Sequence, residues 1–340
     1  MKEMMIKFDF APINTGFAKN GIYDTRILNF HSVRSGKNIE TAYVGNVSVN
    51  VKRTTNSSTA FFNKQNNLFL KKLATVISDN GSLPGIQIAS RLSAISANKH
   101  WESDPYVHTA EAIKEITDLS DEDLDEEIQS IKKGIYFAVE AGFSVIQIHA
   151  AHGYLLSRLV NRKINQRSGK YAFGCLNWLK QLATFTKNLS SDVIFDVRLN
   201  ILDGIEKDTT EIAYKKNIIK WCIEQGCQKV SLTNGFYDIN KHLIYPCDEK
   251  FAHANLIRAI AIAEEHPEIS FSIAGNMLSA LSKGSRLPNN LIIALGRALI
   301  ADPNAISNFK AGKASQCSFC GECHYYSLGK ASLTCPVSGI

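Results

Sequence analysis

Along the chain, short runs rich in β-branched and other apolar residues alternate with longer stretches in which apolar positions recur every three to four residues. The short runs are 7–13, 41–49, 85–89, 144–149, 193–199, 229–233, 270–274 and 291–295. They are nearly continuous in apolar character, as strands buried on both faces must be. The longer stretches at 61–78, 120–140, 176–189, 209–225, 252–265 and 304–311 have the helical period, and shorter helices are expected at 25–34 and 277–281. The 120–140 stretch opens on Ser120, carries Asp-Glu-Asp-Leu-Asp-Glu-Glu in its first turns and stops at Gly142. That order suits the helix dipole and a glycine terminator. Eight strands each followed by a helix predict a (β/α)8 TIM barrel, for which 340 residues are ample. A doubly wound sheet is the alternative. It would often carry a glycine-rich turn after its first strand, and no Gly-x-Gly-x-x-Gly occurs.

Composition narrows the class. With 45% hydrophobic and 21% charged residues the chain can bury a large core, which excludes wholesale disorder. The net charge of +6 is spread along the sequence instead of gathered in an arm, so nucleic acid is not an expected partner. No stretch approaches the ~20 apolar residues of a membrane helix, since Arg297 interrupts the run 291–300. The N-terminus returns to charge at Lys7 and Asp9 and shows no signal-peptide core. A cytoplasmic location is the expectation, with the eight cysteines reduced, buried or ligating. Cys317, Cys320, Cys323 and Cys335 fall within the last 24 residues. The sequence therefore divides into a barrel over 1–312 and a cysteine-rich extension over 313–340.

In such barrels chemistry collects at the C-terminal ends of the strands. Strand one ends in Pro12-Ile13-Asn14, strand two runs into Gly45-Asn46, and strand three carries Gln87. Strand four ends in His149-Ala-Ala-His152-Gly-Tyr154, and strand five holds Arg198. Strand six leads to Tyr237-Asp238, strand seven to Gly275-Asn276, and strand eight to Gly296-Arg297. Glycines after strands seven and eight let backbone N–H groups approach a phosphate, with Arg297 adding a charge-assisted contact; ordinary turns with a helix-capping arginine would look the same. Gln87 and Arg198 need partners if buried. Either a polar ring system fills the barrel mouth or a structural carboxylate pairs with the arginine. His149 and His152 lack a third metal ligand at suitable spacing, which leaves hydrogen bonding to a substrate oxygen or a structural role. The loop 98–117, with Trp101, Tyr106 and His108, and the loop around Tyr237 and Asp238 either shape the pocket or are plain surface.

The stretch from Glu140 to Leu156, with His149, His152 and Tyr154, followed by Asn165-Gln-Arg-Ser, resembles the strand-four segment of the Old Yellow Enzyme family of FMN-dependent barrel oxidoreductases. The likeness extends to Ala11-Pro12, Gln87, Val197-Arg198-Leu199 and the segment from Leu295 to Pro303, and so covers almost the whole chain. The resemblance implies that Pro12, Ile13, Asn14, Gly45 and Asn46 line the flavin and that Gln87 pairs with its pyrimidine edge. It places Arg198 beside N1 and O2 of the isoalloxazine, and Gly275, Asn276, Gly296 and Arg297 on the phosphate. His149 and His152 would hydrogen-bond the carbonyl of an activated alkene, and Tyr154 would donate the proton. The implied activity is reduction of an enone-type double bond with NAD(P)H as donor. Flavin-dependent amine or C–N oxidation, a dehydrogenation, or a low-activity electron-transfer subunit are the alternatives.

Cys317-x2-Cys320-x2-Cys323-x11-Cys335-Pro336 resembles the [4Fe–4S] segment of the 2,4-dienoyl-CoA reductase and trimethylamine dehydrogenase branch; structural zinc, or no metal, are the competing readings. The family usually has a hairpin before strand one, whereas here the strand comes almost at once. Gly169-Lys-Tyr-Ala-Phe173 replaces the family's acidic, glycine-rich continuation, which leaves the oligomeric state open. Cluster-bearing relatives continue into further domains, while this sequence stops five residues past Cys335. Electrons are thus expected from NAD(P)H at the flavin or from a separate protein.

Overall fold

The computed structural model describes residues 6–92 and 105–340. Eight parallel strands close into a barrel: β1 (Phe8–Asn14), β2 (Ile39–Ser48), β3 (Leu83–Ala89), β4 (Val145–Ala150), β5 (Ile194–Leu202), β6 (Lys229–Asn234), β7 (Ser270–Ala274) and β8 (Leu291–Leu295). Each strand pairs with its chain neighbours, and β8 pairs with β1 to complete the ring. The (β/α)8 expectation holds, and all eight apolar runs are strands.

Helices form the outer layer: α1 (Thr25–Ser32), α2 (Lys64–Asp79), α3 (Pro105–Thr117), α4 (Asp121–Glu140), α5 (Leu155–Leu159), α6 (Asn177–Leu189), α7 (Asp208–Glu224), α8 (Lys241–Ile244), α9 (Glu249–Glu265), α10 (Met277–Leu281), α11 (Arg297–Ala301) and α12 (Ala305–Lys310). Local chemistry sets their ends. Ser120 and Asp123 form a reciprocal capping box at the start of α4, and Gly142 just past its end adopts φ 93°, a conformation L side chains resist. On α2 the side chain of Asn63 accepts from the Asn66 N–H, and Leu70, Leu73 and Ile77 turn fully inward. Each such side chain contributes roughly 1.5–3 kcal/mol of burial.

Two expectations need correction. Much of the loop expected over 98–117 is helix α3, anchored by buried Ala112 and Ile116 and opened by Pro105, whose missing N–H costs nothing in a first turn. Trp101 lies outside the described residues. His108 hydrogen-bonds Glu111 three residues on along α3, at 2.9 Å, and does not line the site. A small antiparallel hairpin, Ala18–Lys19 with Ile22–Tyr23, also follows β1, where no strand was expected.

Inside the barrel, side chains at every second strand position form layers. The lowest holds Asp9, which accepts from the Lys229 ammonium at 2.6 Å and from the Thr41 N–H at 3.1 Å. Above it, Asp196 Oδ2 accepts from Tyr43 (2.7 Å), Gln147 (2.6 Å) and Ser231 (2.8 Å). One step further up stand His149 and Arg198, which face each other in register across β4 and β5, with Thr233 on β6.

Beyond α12 the chain folds back across the mouth of the barrel. The Leu333 N–H donates to the Thr15 carbonyl at 2.8 Å, and buried Tyr325 donates to Asn14 Oδ1 at 3.0 Å.

Candidate active site

One cavity opens at the C-terminal end of the barrel, and most of the candidate residues meet in its wall. Pro12, Ile13 and Asn14 come from β1, Asn46 from β2, Gln87 from β3 and Arg198 from β5. His149, His152 and Tyr154 come from β4 and the turn after it. Gly275 and Asn276 follow β7; Gly296 and Arg297 follow β8. Gly45 is the exception and sits behind the wall. A Cβ there would lie 2.4 Å from that of Pro12, so its lack of a side chain lets β1 and β2 approach.

The turn after β4 is locally strained. His152 has φ 60° and Gly153 φ 81°, so a non-glycine residue is held in the left-handed region by the surrounding fold. A β-bridge from His152 to Phe236 and a 3.2 Å bond from the Tyr237 N–H to the His152 carbonyl hold it there. The result brings three rings together: His149 lies 4.3 Å from Tyr154 and 5.1 Å from His152, centroid to centroid.

Electrostatics fix the protonation of this set. Burial, reinforced by the Arg198 and Arg91 charges, holds His149 well below the usual histidine pKa, and burial with the neighbouring His149 and Arg198 does the same to His152. Both imidazoles are therefore neutral, each carrying one N–H donor. His152 Nε2 meets Thr233 Oγ1 at 3.0 Å, whereas buried His149 Nδ1 has no hydrogen-bond partner among the described residues. Burial raises the Tyr154 phenol, although Arg91 and hydrogen bonds from Thr55 (2.7 Å) and Asn46 (3.2 Å) pull it back. It is a protonated acid at neutral pH.

Arg198 is not half of a structural ion pair: among the described residues no salt bridge to it is found. Its closest hydrogen bond runs 3.4 Å to Thr233, and its Nε has no partner. Burial lowers its pKa, with Asp196 opposing. Gln87 donates to Gln147 Oε1 at 2.7 Å. At the other side of the cavity the Arg297 guanidinium donates to the Pro246 carbonyl at 2.6 Å and lies over the Phe319 ring at 5.0 Å. A Cβ on Gly296 would meet nothing within 4 Å, so the backbone there is open to an incoming group.

Sequence reasoning missed several participants. Arg91, two residues past β3, is buried and pairs with Asp238 at 2.7 Å; its place at a strand end was the available signal. Thr55, Tyr245, His324 and Tyr325 reach the cavity from loops and from the C-terminal segment, and nothing in their spacing announces it.

The four clustered cysteines line a second, smaller hollow beside Arg297, Ile300 and Ala301. Among the described residues no group of three or more His, Cys, Asp or Glu is arranged to hold a metal ion.

The family model for the NADH:flavin oxidoreductase / NADH oxidase family matches residues 11–316. The chain belongs to this family. It is accordingly an FMN-dependent oxidoreductase drawing on a nicotinamide nucleotide. It is 29% identical over 245 residues to an NADPH dehydrogenase of Bacillus velezensis, covering 68% of each chain, and 28% identical over 242 residues to that of Bacillus subtilis, again covering 68% of each. An NADPH dehydrogenase of Bacillus cytotoxicus is 24% identical over 296 residues, 82% of this chain and 81% of that one. Among solved structures, a 2-naphthoyl-CoA reductase in complex with 2-naphthoyl-CoA superposes with TM-score 0.74 at 17% identity, over 97% of this chain and 54% of the other, so this chain spans about half of it. No helix among the described residues is long and apolar enough to cross a membrane.

Proposed function

We propose that this family member reduces a carbon–carbon double bond conjugated to a carbonyl, of the enone or enoyl type. The observation that carries the reading is the grouping of two neutral, buried histidines with a protonated tyrosine at one end of a cavity backed by buried Arg198, which has no salt bridge among the described residues. Neutral imidazoles can donate to a carbonyl oxygen without adding a charge the apolar substrate must desolvate, and they polarise the conjugated alkene. Tyr154 gives its proton to the α-carbon and takes one back through Thr55, which is half-buried.

The residues present fit FMN. Arg198 Nε, His149 Nδ1 and Asn46 Oδ1 are buried polar atoms with no partner among the described residues, the kind of atoms a polar ring system would satisfy. Pro12, Ile13, Asn14 and Asn46 would line the flavin, Gln87 would meet its pyrimidine edge, and Arg198 would sit against the negative charge of its reduced form. Gly275, Asn276, Gly296 and Arg297 would hold the phosphate. When bound, FMN supplies the hydride that it has accepted from NAD(P)H. The names of the NADPH dehydrogenases and of the 2-naphthoyl-CoA reductase support this reading. Anaerobic purification should give a yellow protein with FMN released on denaturation; a colourless protein that cannot be reconstituted with FMN would sink it.

We further read Cys317, Cys320, Cys323 and Cys335 as ligands of a [4Fe–4S] cluster. All four border one hollow beside Arg297. Four thiols around a shared space suit a cubane, with four-cysteine zinc as the competing occupant. Equimolar iron and acid-labile sulfide support the assignment; zinc in their place reassigns it. Such thiols require a reducing compartment, which the cytoplasm provides.

A further inference from the structure

We propose that Arg91 is a positioning residue that keeps a fixed positive charge beside Tyr154 and so stabilises the phenolate left when Tyr154 gives up its proton. The inference rests on the reading of Tyr154 as proton donor.

The geometry is specific. The Arg91 guanidinium lies 5.4 Å from the centre of the Tyr154 ring and 5.8 Å from that of Tyr237, with the side chain 2% exposed. It is held by Asp238 Oδ1 at 2.7 Å, and Arg158 stands 3.6 Å from the other oxygen of the same carboxylate. Arg158 in turn pairs with Glu115 on α3. The charge is thus fixed from behind and needs no reorganisation when the phenol ionises, which is the condition for electrostatic stabilisation at a buried site. The titratable groups facing Tyr154 are Arg91, His149, Asp238, Tyr237, Tyr245 and Tyr325. The histidine is neutral and the tyrosines are protonated, so Arg91 supplies the favourable charge and Asp238, which is paired with Arg91, opposes it.

The proton balance is simple. The phenol O–H bond breaks, the π pair of the alkene, left at the α-carbon when the β-carbon accepts hydride, forms the new C–H bond with that proton, and the phenolate regains a proton through Thr55.

The test places 3-fluorotyrosine at position 154 of the full chain and follows ionisation of its ring by ultraviolet difference spectroscopy. Arg91→Gln should raise the midpoint by about one pH unit, a tenfold loss of acidity. Arg91→Lys, which keeps the charge, should hold it within about 0.3 unit. Should Arg91→Gln fail to fold, Arg91→Gln with Asp238→Asn is compared with Asp238→Asn alone, and the same rise is expected. An unchanged midpoint on loss of the charge overturns the proposal, and a full-unit rise in Arg91→Lys would also overturn it by assigning the effect to packing. The titration uses no substrate. If Tyr154→Phe kept full enone turnover, the reduction reading would fall while the charge assignment stood or fell on its own result.

Discussion

The lower and upper layers of the barrel interior are built from the same kinds of buried polar residue and end up opposite in character. Below, Lys229 closes on Asp9 at 2.6 Å, and the Asp196 carboxylate collects three hydrogen bonds on Oδ2, while its Oδ1 has no partner among the described residues. Above, in the next layer along the same strands, Arg198 has no salt bridge among the described residues and His149 Nδ1 has no hydrogen-bond partner among them. Burial of a charge or a donor is tolerated only when it is paired. The contrast therefore separates polar groups kept for the fold from polar groups kept for a ligand, and the boundary falls between Gln147 and His149 on one strand and between Asp196 and Arg198 on the next.

Changing one residue in each layer tests the division most strongly. Arg198→Met should cut enone turnover by about 10²–10³-fold, the size of losing one preorganised electrostatic contact, and weaken FMN retention. The folded protein should otherwise survive, because the charge has no partner to strand; steady-state kinetics and thermal melting together check this. Lys229→Met should do the reverse. It strands Asp9 in the core and should cost about 3–5 kcal/mol in urea unfolding, with turnover per folded, flavin-loaded molecule unchanged. Adding Asp9→Leu should restore much of the loss, since a paired apolar replacement leaves no orphan charge.

A pH titration sharpens the same division with a smaller effect. His31 and His324 are pushed down to about 3 by burial, with Arg34 and Lys241 next in order, and His149 and His152 are also held low. The unfolded chain takes up protons at these histidines as pH drops below about 6.5, whereas the folded chain cannot. Stability should therefore fall as pH falls below about 6.5, and turnover of the molecules that stay folded should show no histidine-like step between pH 5 and 8. Urea midpoints at pH 7.5 and 5.5 check the first; a pH–rate profile checks the second. Smallest of all, Thr55→Val should slow turnover by about two- to tenfold through loss of one hydrogen bond to Tyr154, with the melting temperature nearly unchanged.

The strands were legible because each is an apolar run bounded by polar residues, and α4 because Ser120, its acidic first turn and Gly142 punctuate both ends. Helix α3 was hidden: its inward face shows chiefly through Ala112 and Ile116, too little periodicity to stand out from a loop. At the site, His149, His152, Tyr154 and Arg198 could be read because they occupy strand ends. Arg91 also stands just past a strand end, but its part in the site, like that of Tyr325, could not be read from that place alone. Each contacts the site through pairings far apart in sequence, Arg91 with Asp238 and Tyr325 with Asn14 and Asn56. Gly45 lies within β2, three residues short of its end, and what its missing side chain serves is the close packing of β1 against β2.

The central claim is that the upper layer binds flavin and that Tyr154 protonates the substrate. Its most direct test is a single turnover: the protein is loaded with FMN, reduced anaerobically and mixed with 2-cyclohexenone, and reoxidation of the flavin is followed for the unaltered chain and for Tyr154→Phe. The enone should reoxidise the flavin, and about 10²-fold or more slowly in Tyr154→Phe. Equal rates in the two proteins, or no reoxidation by the enone in either, would contradict it.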